Sequence, residues 1–221
     1  MYTILTECPL FRGLTAAQIE NALASPDNYA VTDYAKGDLI ARRDTAYSGL
    51  MILLTGTATG EMAYPDGRTV KIDMIEAPQL IAPAFLFGGY NRLPVDVIAQ
   101  SDVQILTLHR GFVFELMQDN VLVLSNFIDI ISNRAGAWSK KIYLLSFRSL
   151  KAKLASYLLD NSSAEQPLLA MPDAAQVADY FAATRSSIEA VVADLEKKGI
   201  IKADGDNIFI LNRKALQEII Q

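Results

Sequence analysis

The stretch MPDAAQVADYFAATRSSIEAVVADLEKKGIIKADGDNIFILNR, residues 171–213, decides the fold of the C-terminal part of the chain. Its apolar spacing predicts two helices separated by a short turn at Ala182-Ala183. Thr184 is the expected N-cap of the second helix, because its hydroxyl can accept a backbone N–H of the first turn. Gly199 is suited to the end of that helix, and Asp204-Gly205 to the turn of a two-stranded wing. This order of elements is that of a winged helix-turn-helix, which docks on duplex DNA.

The apolar residues of both helices recur every three or four positions, as on the buried face of an amphipathic helix. Those expected to be buried are Val177, Ala178 and Phe181 on the first helix and Ile188, Val191, Val192 and Leu195 on the second. Pro172-Asp173 is the expected start of the first helix. The opposite face of the second helix carries the residues that we expect to point outward: Arg185, Ser186, Glu189 and Ala190. Small side chains beside one arginine suit insertion of this face into the major groove.

Arg185 is the predicted base reader, since its guanidinium can donate two hydrogen bonds to the O6 and N7 atoms of guanine. Glu189 can accept a hydrogen bond from a cytosine amino group, and Thr184 and Ser187 can contact phosphate. Further phosphate contacts are expected from lysines: Lys140, Lys141, Lys151, Lys153, Lys197, Lys198 and Lys202. The alternatives are that these residues are ordinarily solvated, or that the winged domain contacts a protein instead of DNA.

The charge of the chain is acidic overall but unevenly distributed. The net charge is −5 at pH 7; residues 1–138 contain 9 basic and 15 acidic side chains, whereas residues 139–221 contain 11 and 10. Because the neutralisation of phosphate needs Lys and Arg, a neutral C-terminal part permits DNA binding without predicting it. Asp204 and Asp206 make the wing acidic, which supports the protein-contact alternative.

The N-terminal part of the chain has a different pattern of apolar residues. From Tyr29 to Leu108, short apolar runs alternate with turn residues, which predicts β-structure. Pro65-Asp66-Gly67 lies between two alternating segments and is typical of a hairpin turn. A short helix is expected before the strands, at 16–23. The predicted fold class is α+β, with a β-roll sensor domain over 1–112, a dimerisation helix over 113–146 and a winged helix-turn-helix domain over 147–221.

After Arg110 the apolar period becomes that of one long helix of about nine turns. Its apolar stripe alternates between spacings of four and three: Met117, Val121, Leu124, Ile128, Ile131, Ala135, Trp138, Ile142 and Leu145. A heptad stripe favours a coiled coil with a second copy of the chain, and packing against the chain's own domains is the alternative. The next helix, FRSLKAKLASYLLD at 147–160, is expected to open at Ser146.

Segments along the whole chain resemble the CRP/FNR family of bacterial transcription regulators. They are CPLFRGLT (8–15), YAKGDLI (34–40), LLTGTATG (53–60), DVIAQSDVQILTL (96–108) and TRSSIEAVVADLEKKGIIK (184–202), in the order of the family. The resemblance implies a cyclic-nucleotide-binding-type β-roll and a homodimer joined along the long helix. It further implies that each subunit binds one half of a near-palindromic DNA operator and that RNA polymerase is a partner.

The chain departs from the cyclic-nucleotide-binding members of that family. Those members carry Gly-Glu for the ribose hydroxyl and, further on, Arg-Ser or Arg-Thr for the cyclic phosphate. Here Ala82-Pro83 and Leu93-Pro94 take the corresponding places, and Arg92 lies one position away. The resemblance therefore does not extend to a cyclic nucleotide as ligand. The segment NRLPVD at 91–96 looks more like the regulators of nitrosative and anaerobic stress.

The recognition helix departs from the family too. Ser186 and Ala190 stand where a Glu and a second Arg are frequent, so an atypical operator is expected. The effector is unidentified, and its expected pocket is lined by Phe85, Leu86, Phe87, Asn91, Arg92, Trp138 and Ser139. A signal there would change the coiled coil through a hinge at 145–148, bringing the two recognition helices to a spacing of about one DNA turn, roughly 34 Å.

The sequence limits the possible cofactors. Cys8 is the only cysteine, and one thiol cannot hold an iron–sulfur cluster or a structural zinc. A haem-based gas sensor remains an alternative, with His109, Cys8 or a methionine as axial ligand; His109 is also a weak metal candidate. An enzyme is disfavoured, because there is one histidine and no nucleophile–base arrangement or phosphate-binding loop.

The N-terminus, MYTILTECPLFRGLT, lacks the basic start and apolar run of an export signal. No segment reaches the roughly 18 uncharged apolar residues of a membrane span. A cytoplasmic protein that does not enter a membrane is expected.

Overall fold

A computed structural model describes residues 1–63, 69–147, 149–163, 168–170, 174–181, 183–205 and 207–220. The chain divides into two compact units, Met1–Arg134 and Ala135–Gln221. The first unit contains a β-roll and the second a winged helix-turn-helix, and a long helix lies between these parts of the chain. The predicted α+β fold class is confirmed.

The roll of the first unit consists of short antiparallel strands. They are β1 Tyr29–Tyr34, β2 Leu39–Ala41, β3 Gly49–Thr55, β4 Thr57–Ala63, β5 Thr69–Glu76, β6 Gln79–Ile81, β7 Asp96–Ala99 and β8 Val103–His109. Two four-stranded sheets have the orders β1-β8-β3-β6 and β2-β7-β4-β5. The predicted hairpin turn at 65–67 lies outside the described residues, although β4 and β5 on either side of it pair from Thr57↔Glu76 to Ala63↔Thr69.

The turn between β3 and β4 requires glycine. Gly56 has a φ of +78°, and a Cβ there would lie 2.5 Å from the carbonyl oxygen of Asp102 and 2.5 Å from Ser101 Oγ. A larger residue would therefore be strained and would collide with the turn before β8. The glycine lets the turn between β3 and β4 pack closely against the turn between β7 and β8.

Two apolar clusters fill the first unit. One is centred on the roll interior and includes Leu53, Ile81 and Ile105. The other joins the N-terminal segment to the roll and the following helices, and it includes Phe11 and Phe127. Such clusters are the main favourable contribution to folding, because they remove apolar area from water.

The helices associated with the first unit are α1 Tyr2–Leu5, α2 Ala16–Ala22, α3 Arg110–Asp119 and the start of α4 Val121–Ser146. The prediction of a helix near 16–23 is confirmed by α2. Its N-cap, Thr15, forms a capping box with Gln18, in which each side chain bonds the other residue's backbone N–H. Within the described residues, no helix is both long and apolar enough to cross a bilayer.

The prediction of one unbroken helix from Met117 to Leu145 is wrong. Asn120 has an extended backbone, φ −135° and ψ 103°, and separates α3 from α4. Its Oδ1 accepts hydrogen bonds from the backbone N–H groups of Leu122 at 3.0 Å and Val123 at 3.3 Å. An asparagine that caps a helix in this way starts a new helix without disturbing the apolar spacing. Met117 is buried in the core of the first unit, so it does not belong to an exposed stripe.

The remaining residues of the stripe lie on α4. Val121, Leu124, Ile128, Trp138, Ile142 and Leu145 are between 38% and 76% exposed. Ala135 is exposed as well, and Ile131 is partly buried against the first core. A row of large apolar side chains along 26 residues of helix is therefore uncovered in the single chain.

The second unit has its own core and elements. They are α5 Leu150–Asp160, β9 Leu168–Ala170, α6 Ala174–Phe181, α7 Arg185–Lys197, β10 Ile201–Asp204, β11 Asn207–Ile210 and α8 Arg213–Ile219. The expected start of α5 at Ser146 is wrong: Ser149 is its N-cap, with Oγ accepting the N–H of Ala152 at 3.0 Å, and Ser146 ends α4. The wing has a third strand that the sequence did not predict, in the order β10-β11-β9.

Candidate functional site

The first turn of α7 is fixed by the residue that precedes it. Thr184 has extended backbone, and its Oγ1 accepts the backbone N–H of Ser187 at 3.2 Å. The same oxygen lies 2.7 Å from Ser187 Oγ and 3.1 Å from Ser186 Oγ. The prediction that Thr184 is the N-cap is confirmed, and the hydroxyl groups proposed as phosphate contacts gather at the start of the helix.

The predicted buried faces of α6 and α7 are confirmed. Val177, Ala178 and Phe181 are buried, as are Ile188 and Leu195, while Val191 and Val192 are partly buried against the same core. The Phe181 ring packs edge-on against Tyr157 at 5.7 Å and Tyr180 at 5.4 Å. The expected start of α6 at Pro172-Asp173 and Ala182 of the turn lie outside the described residues. This packing holds α7 against the core of the second unit.

The far end of α7 is closed by glycine. Gly199 has a φ of +67°; its N–H bonds the carbonyl of Glu196 at 2.8 Å, and the N–H of Ile200 bonds that of Leu195 at 3.0 Å. These two bonds are those of a Schellman motif, which turns the chain sharply away from a helix. The chain passes directly into β10, so the wing is placed by the same turn that ends the helix.

The outward face of α7 contains the residues proposed to read DNA. Arg185, Ser186, Ser187, Glu189 and Ala190 are all exposed. Arg185 Nε donates a hydrogen bond to Glu189 Oε1 at 2.8 Å, one helical turn away. Lys202 on β10 is exposed, and Asp206 of the wing lies outside the described residues.

Some of the lysines proposed as phosphate contacts have partners within the protein. Asp194 Oδ2 accepts hydrogen bonds from Lys151 Nζ at 2.6 Å and Lys198 Nζ at 3.0 Å. The bond from Lys151, and then that from Lys198, lowers the pKa of the Asp194 carboxyl. The Lys198 bond has i,i+4 spacing that a sequence can indicate, whereas the Lys151 bond joins residues 43 apart and could not be predicted.

Replacing Asp194 with asparagine is expected to strengthen non-specific DNA binding. The change removes the charge that holds Lys151 and Lys198, so both become available to phosphate. The slope of log affinity against log salt should steepen by up to about 0.9 for each lysine that gains a contact. The measurement is a fluorescence titration of a random-sequence duplex at several salt concentrations. Asp160→Asn changes the net charge equally at an exposed position and is the control; equal slopes for both variants would contradict the expectation.

A groove of about 320 Å³ lies in the second unit, beside the aromatic cluster. It is lined by Lys140, Leu144, Tyr157, Asp160, Asn161, Val177 and Tyr180. Lys141 Nζ lies 5.2 Å from the centroid of the Tyr180 ring and 6.0 Å from that of Trp138. The ammonium group of Lys141 is therefore engaged with aromatic faces, a contact that the sequence did not predict.

The residues at the expected ligand positions of the roll do not fit a cyclic nucleotide. Pro83 and Leu93 are buried apolar side chains, where a carboxylate and an arginine would be needed. Ala82 has φ +48° and ψ +42°, a left-handed conformation that favours glycine. The backbone here is therefore of a glycine type, although the residue itself is alanine. The Arg92 guanidinium donates to the backbone carbonyl of Asp44.

The other members of the expected effector pocket are placed as follows. Leu86 is fully buried in the core, and Phe87 packs edge-on against Phe127 at 5.8 Å. Phe85 and Asn91 are partly buried, whereas Trp138 and Ser139 are exposed residues of the second unit. A pocket that joins these groups stays a prediction.

Two of the candidate axial ligands, Cys8 and His109, lie in the first unit. Burial raises the pKa of the Cys8 thiol to about 11, so the thiolate that metals bind is suppressed at neutral pH. His109 is exposed at the junction of β8 and α3. Among the described residues, no group of three or more His, Cys, Asp or Glu side chains is placed to hold a metal ion.

Comparisons with known proteins match both units. The family model described as a cyclic nucleotide-binding domain matches residues 31–120, and the one described as a Crp-like helix-turn-helix domain matches residues 152–219. No curated protein gave a significant sequence match.

Solved structures share the fold over most of the chain. Catabolite activator protein from Thermus thermophilus is 20% identical with a TM-score of 0.57, covering 96% of this chain and 98% of that one. FixK2 from Bradyrhizobium japonicum is 16% identical with a TM-score of 0.52, covering 87% and 98%. A transcriptional regulator from Thermotoga maritima is 27% identical with a TM-score of 0.54, covering 58% of this chain and 97% of that one.

Proposed function

The chain belongs to the CRP/FNR family of DNA-binding transcription regulators, and from that premise we propose that it acts as a homodimer on a near-palindromic operator. Each subunit inserts the first turns of α7 into the major groove of one half-site. The two half-sites lie about one DNA turn apart, roughly 34 Å. RNA polymerase is the proposed partner at the promoter.

The observation that carries this proposal is the outward face of α7. Its first turn is capped by Thr184, its base is fixed by Ile188 and Leu195, and Arg185 with small neighbours projects from it. A rigid helix with one arginine among Ser and Ala side chains can approach base edges closely. Ser186 and Ala190 provide no long side chain, so the proposed operator differs from those of relatives with Glu and Arg there.

The dimer proposal rests on the exposed stripe of α4. Monomeric soluble proteins rarely leave a contiguous apolar row of this length uncovered. A second copy of α4 has the same spacing of three and four residues and would bury the row symmetrically.

The signal that controls the regulator is proposed to be other than a cyclic nucleotide, because the ligand positions of the roll carry Pro83 and Leu93. A sensing role for Phe85, Asn91 and Arg92 remains part of the proposal. A native mass spectrum and a visible absorption spectrum of the gently purified protein test this; a retained organic mass would identify a ligand, and a Soret band would instead indicate haem.

Selection of binding sequences from a random duplex library tests DNA recognition. The proposal predicts enrichment of two related half-sites in inverted orientation, with centres about 10 base pairs apart or a multiple of that. No enrichment, together with capture of a protein by the winged domain, would favour the protein-contact alternative and contradict the proposal.

Arg185→Ala is expected to weaken binding to the selected operator by about 1–3 kcal/mol and to relax the preference at one base position of each half-site. The melting temperature should not change, because the side chain is exposed. Lys214→Ala, which removes a positive charge from an exposed position of α8, is the control. The same consensus for Arg185→Ala and for the unmodified protein would show that Arg185 does not read a base.

A further inference from the structure

A hydrogen bond joins the last turn of α7 to the wing. Glu196 Oε1 accepts the backbone N–H of Ala203 on β10 at 2.7 Å, across seven residues of the chain. In the part of the chain that the structure describes, β10 is an edge strand, in the order β10-β11-β9. The N–H groups on the open side of an edge strand need water or another acceptor. The carboxylate of Glu196 is such an acceptor, supplied by the neighbouring helix.

We infer that Glu196 is a positioning residue, which holds the wing beside α7 and thereby directs Lys202 to a phosphate of the DNA backbone. Lys202 is the exposed residue that precedes Ala203 on β10. The inference rests on the proposed function and deepens it. When α7 enters the major groove, a lysine of the wing meets a phosphate only if the distance between helix and strand matches the distance between groove and backbone.

The base of the wing is fixed by the core of the second unit. Ile201 at the start of β10 and Ile208 on β11 are buried in that core. The carbonyl oxygen of Ile200 accepts the N–H groups of Leu211 at 2.9 Å and Asn212 at 3.0 Å, where the chain enters and leaves the wing. The motion left to the wing is therefore a swing of its outer end.

The bond from Glu196 acts on that outer end. Ala203 is only partly buried, and the next two residues, Asp204 and Gly205, lead into the turn. Glu196 itself belongs to a fixed part of the helix, because Leu195 beside it is fully buried. A bond on the open side of β10 thus transmits the position of α7 to the residue next to Lys202.

The charge of Glu196 has no other evident benefit at this place. An acidic residue in the last turn of a helix opposes the helix dipole, whose negative end lies there. A carboxylate close to DNA also repels phosphate. A hydrogen bond to an ionised acceptor is short and strong, in keeping with the 2.7 Å distance to the Ala203 nitrogen. Holding the strand accounts for a charge that both other effects disfavour.

The test compares the full-length protein with Glu196→Ala, Glu196→Gln, Lys202→Ala and the Glu196→Ala/Lys202→Ala double variant, each titrated with the selected operator at several salt concentrations. Glu196→Ala should weaken binding about 3- to 10-fold near 0.1 M salt and reduce the salt slope by up to about 0.9 for each subunit. Lys202→Ala should have the same effect, and the double variant should show no further loss. Glu196→Gln keeps an acceptor oxygen and should bind at least as strongly as the unmodified protein.

The sign of the effect separates positioning from simple repulsion. Removing a carboxylate that only repels phosphate strengthens binding, whereas Glu196→Ala is expected to weaken it. Glu218→Ala is the control, because Glu218 is an exposed acidic residue of α8; it should not weaken binding. The bases preferred in each half-site should stay the same in all variants, because the reading face of α7 is unchanged.

Hydrogen exchange of the free protein measures the bond without DNA. In Glu196→Ala the Ala203 amide should exchange about 10-fold faster or more, while the Leu195 amide keeps its protection. Unchanged exchange at Ala203, an unchanged salt slope, or additive losses in the double variant would overturn the inference while leaving the proposed function intact. If the unmodified protein selects no sequence and binds no DNA, the proposed function fails first, and this inference fails with it.

Discussion

Replacing Ile128 with lysine is expected to convert the protein from a dimer to a monomer. Ile128 is 53% exposed on α4 in the single chain, in the middle of the apolar stripe. In a twofold pair the same position of both helices meets at the seam, so two ammonium groups would be brought together. Two isoleucine side chains, each about half exposed in the single chain, would also lose their burial in the pair, which corresponds to roughly 1.5–3 kcal/mol of association free energy.

Sedimentation equilibrium measures the change directly. The melting temperature of the variant should equal that of the unmodified protein at concentrations where the unmodified dimer dissociates, because Ile128 is not buried within the protomer. Operator affinity should fall to that of a single half-site. Asn133→Lys adds the same charge at an exposed position of α4 outside the stripe and should remain dimeric. An unmodified protein that sediments as a monomer would contradict the coiled-coil proposal before any variant is made.

Replacing Phe181 with alanine is expected to destabilise the winged domain strongly. Phe181 is 1% exposed and contacts the rings of Tyr157 and Tyr180 across the core of the second unit. Removing such a ring leaves a cavity and costs about 3–5 kcal/mol. Domains of this size have a free energy of unfolding of only about 5–15 kcal/mol, so the loss is a large part of the total.

Hydrogen exchange resolved by residue measures this effect for each unit. Protection should fall in α5, α6 and α7 and should stay unchanged in β3 and β8, because the two units have separate cores. DNA binding should weaken to the extent that the winged domain unfolds. Phe114→Ala is the matched control, since Phe114 is 53% exposed on α3 and its removal creates no cavity. Unchanged protection in α7 of the Phe181 variant would show that Phe181 does not hold the recognition helix in place.

The recognition helix was predictable because its information is local. The cap at Thr184, the period of Ile188 and Leu195 and the closing turn at Gly199 all act within a few residues. The break between α3 and α4 at Asn120 could not be predicted from the apolar spacing. An asparagine cap joins two helices while the spacing of four and three continues from Met117 to Val121, so the pattern alone could not distinguish one helix from two.

The contacts that engage lysines near the candidate site join residues that are far apart in the sequence. The partner of Lys151 lies 43 residues away, and Lys141 reaches the ring of Tyr180 on another helix. The turn at Ala82 keeps its left-handed backbone although the residues for a cyclic nucleotide are absent. Such features depend on how distant elements pack, and no periodicity in the sequence records them.

The most direct test of the central claim is the salt dependence of binding to the selected operator and to a scrambled duplex of the same composition. The account predicts preferential binding to the operator, with a fall in affinity of roughly 10³-fold or more between about 50 and 200 mM salt. Equal affinity for the two duplexes, or binding that does not respond to salt, would contradict it.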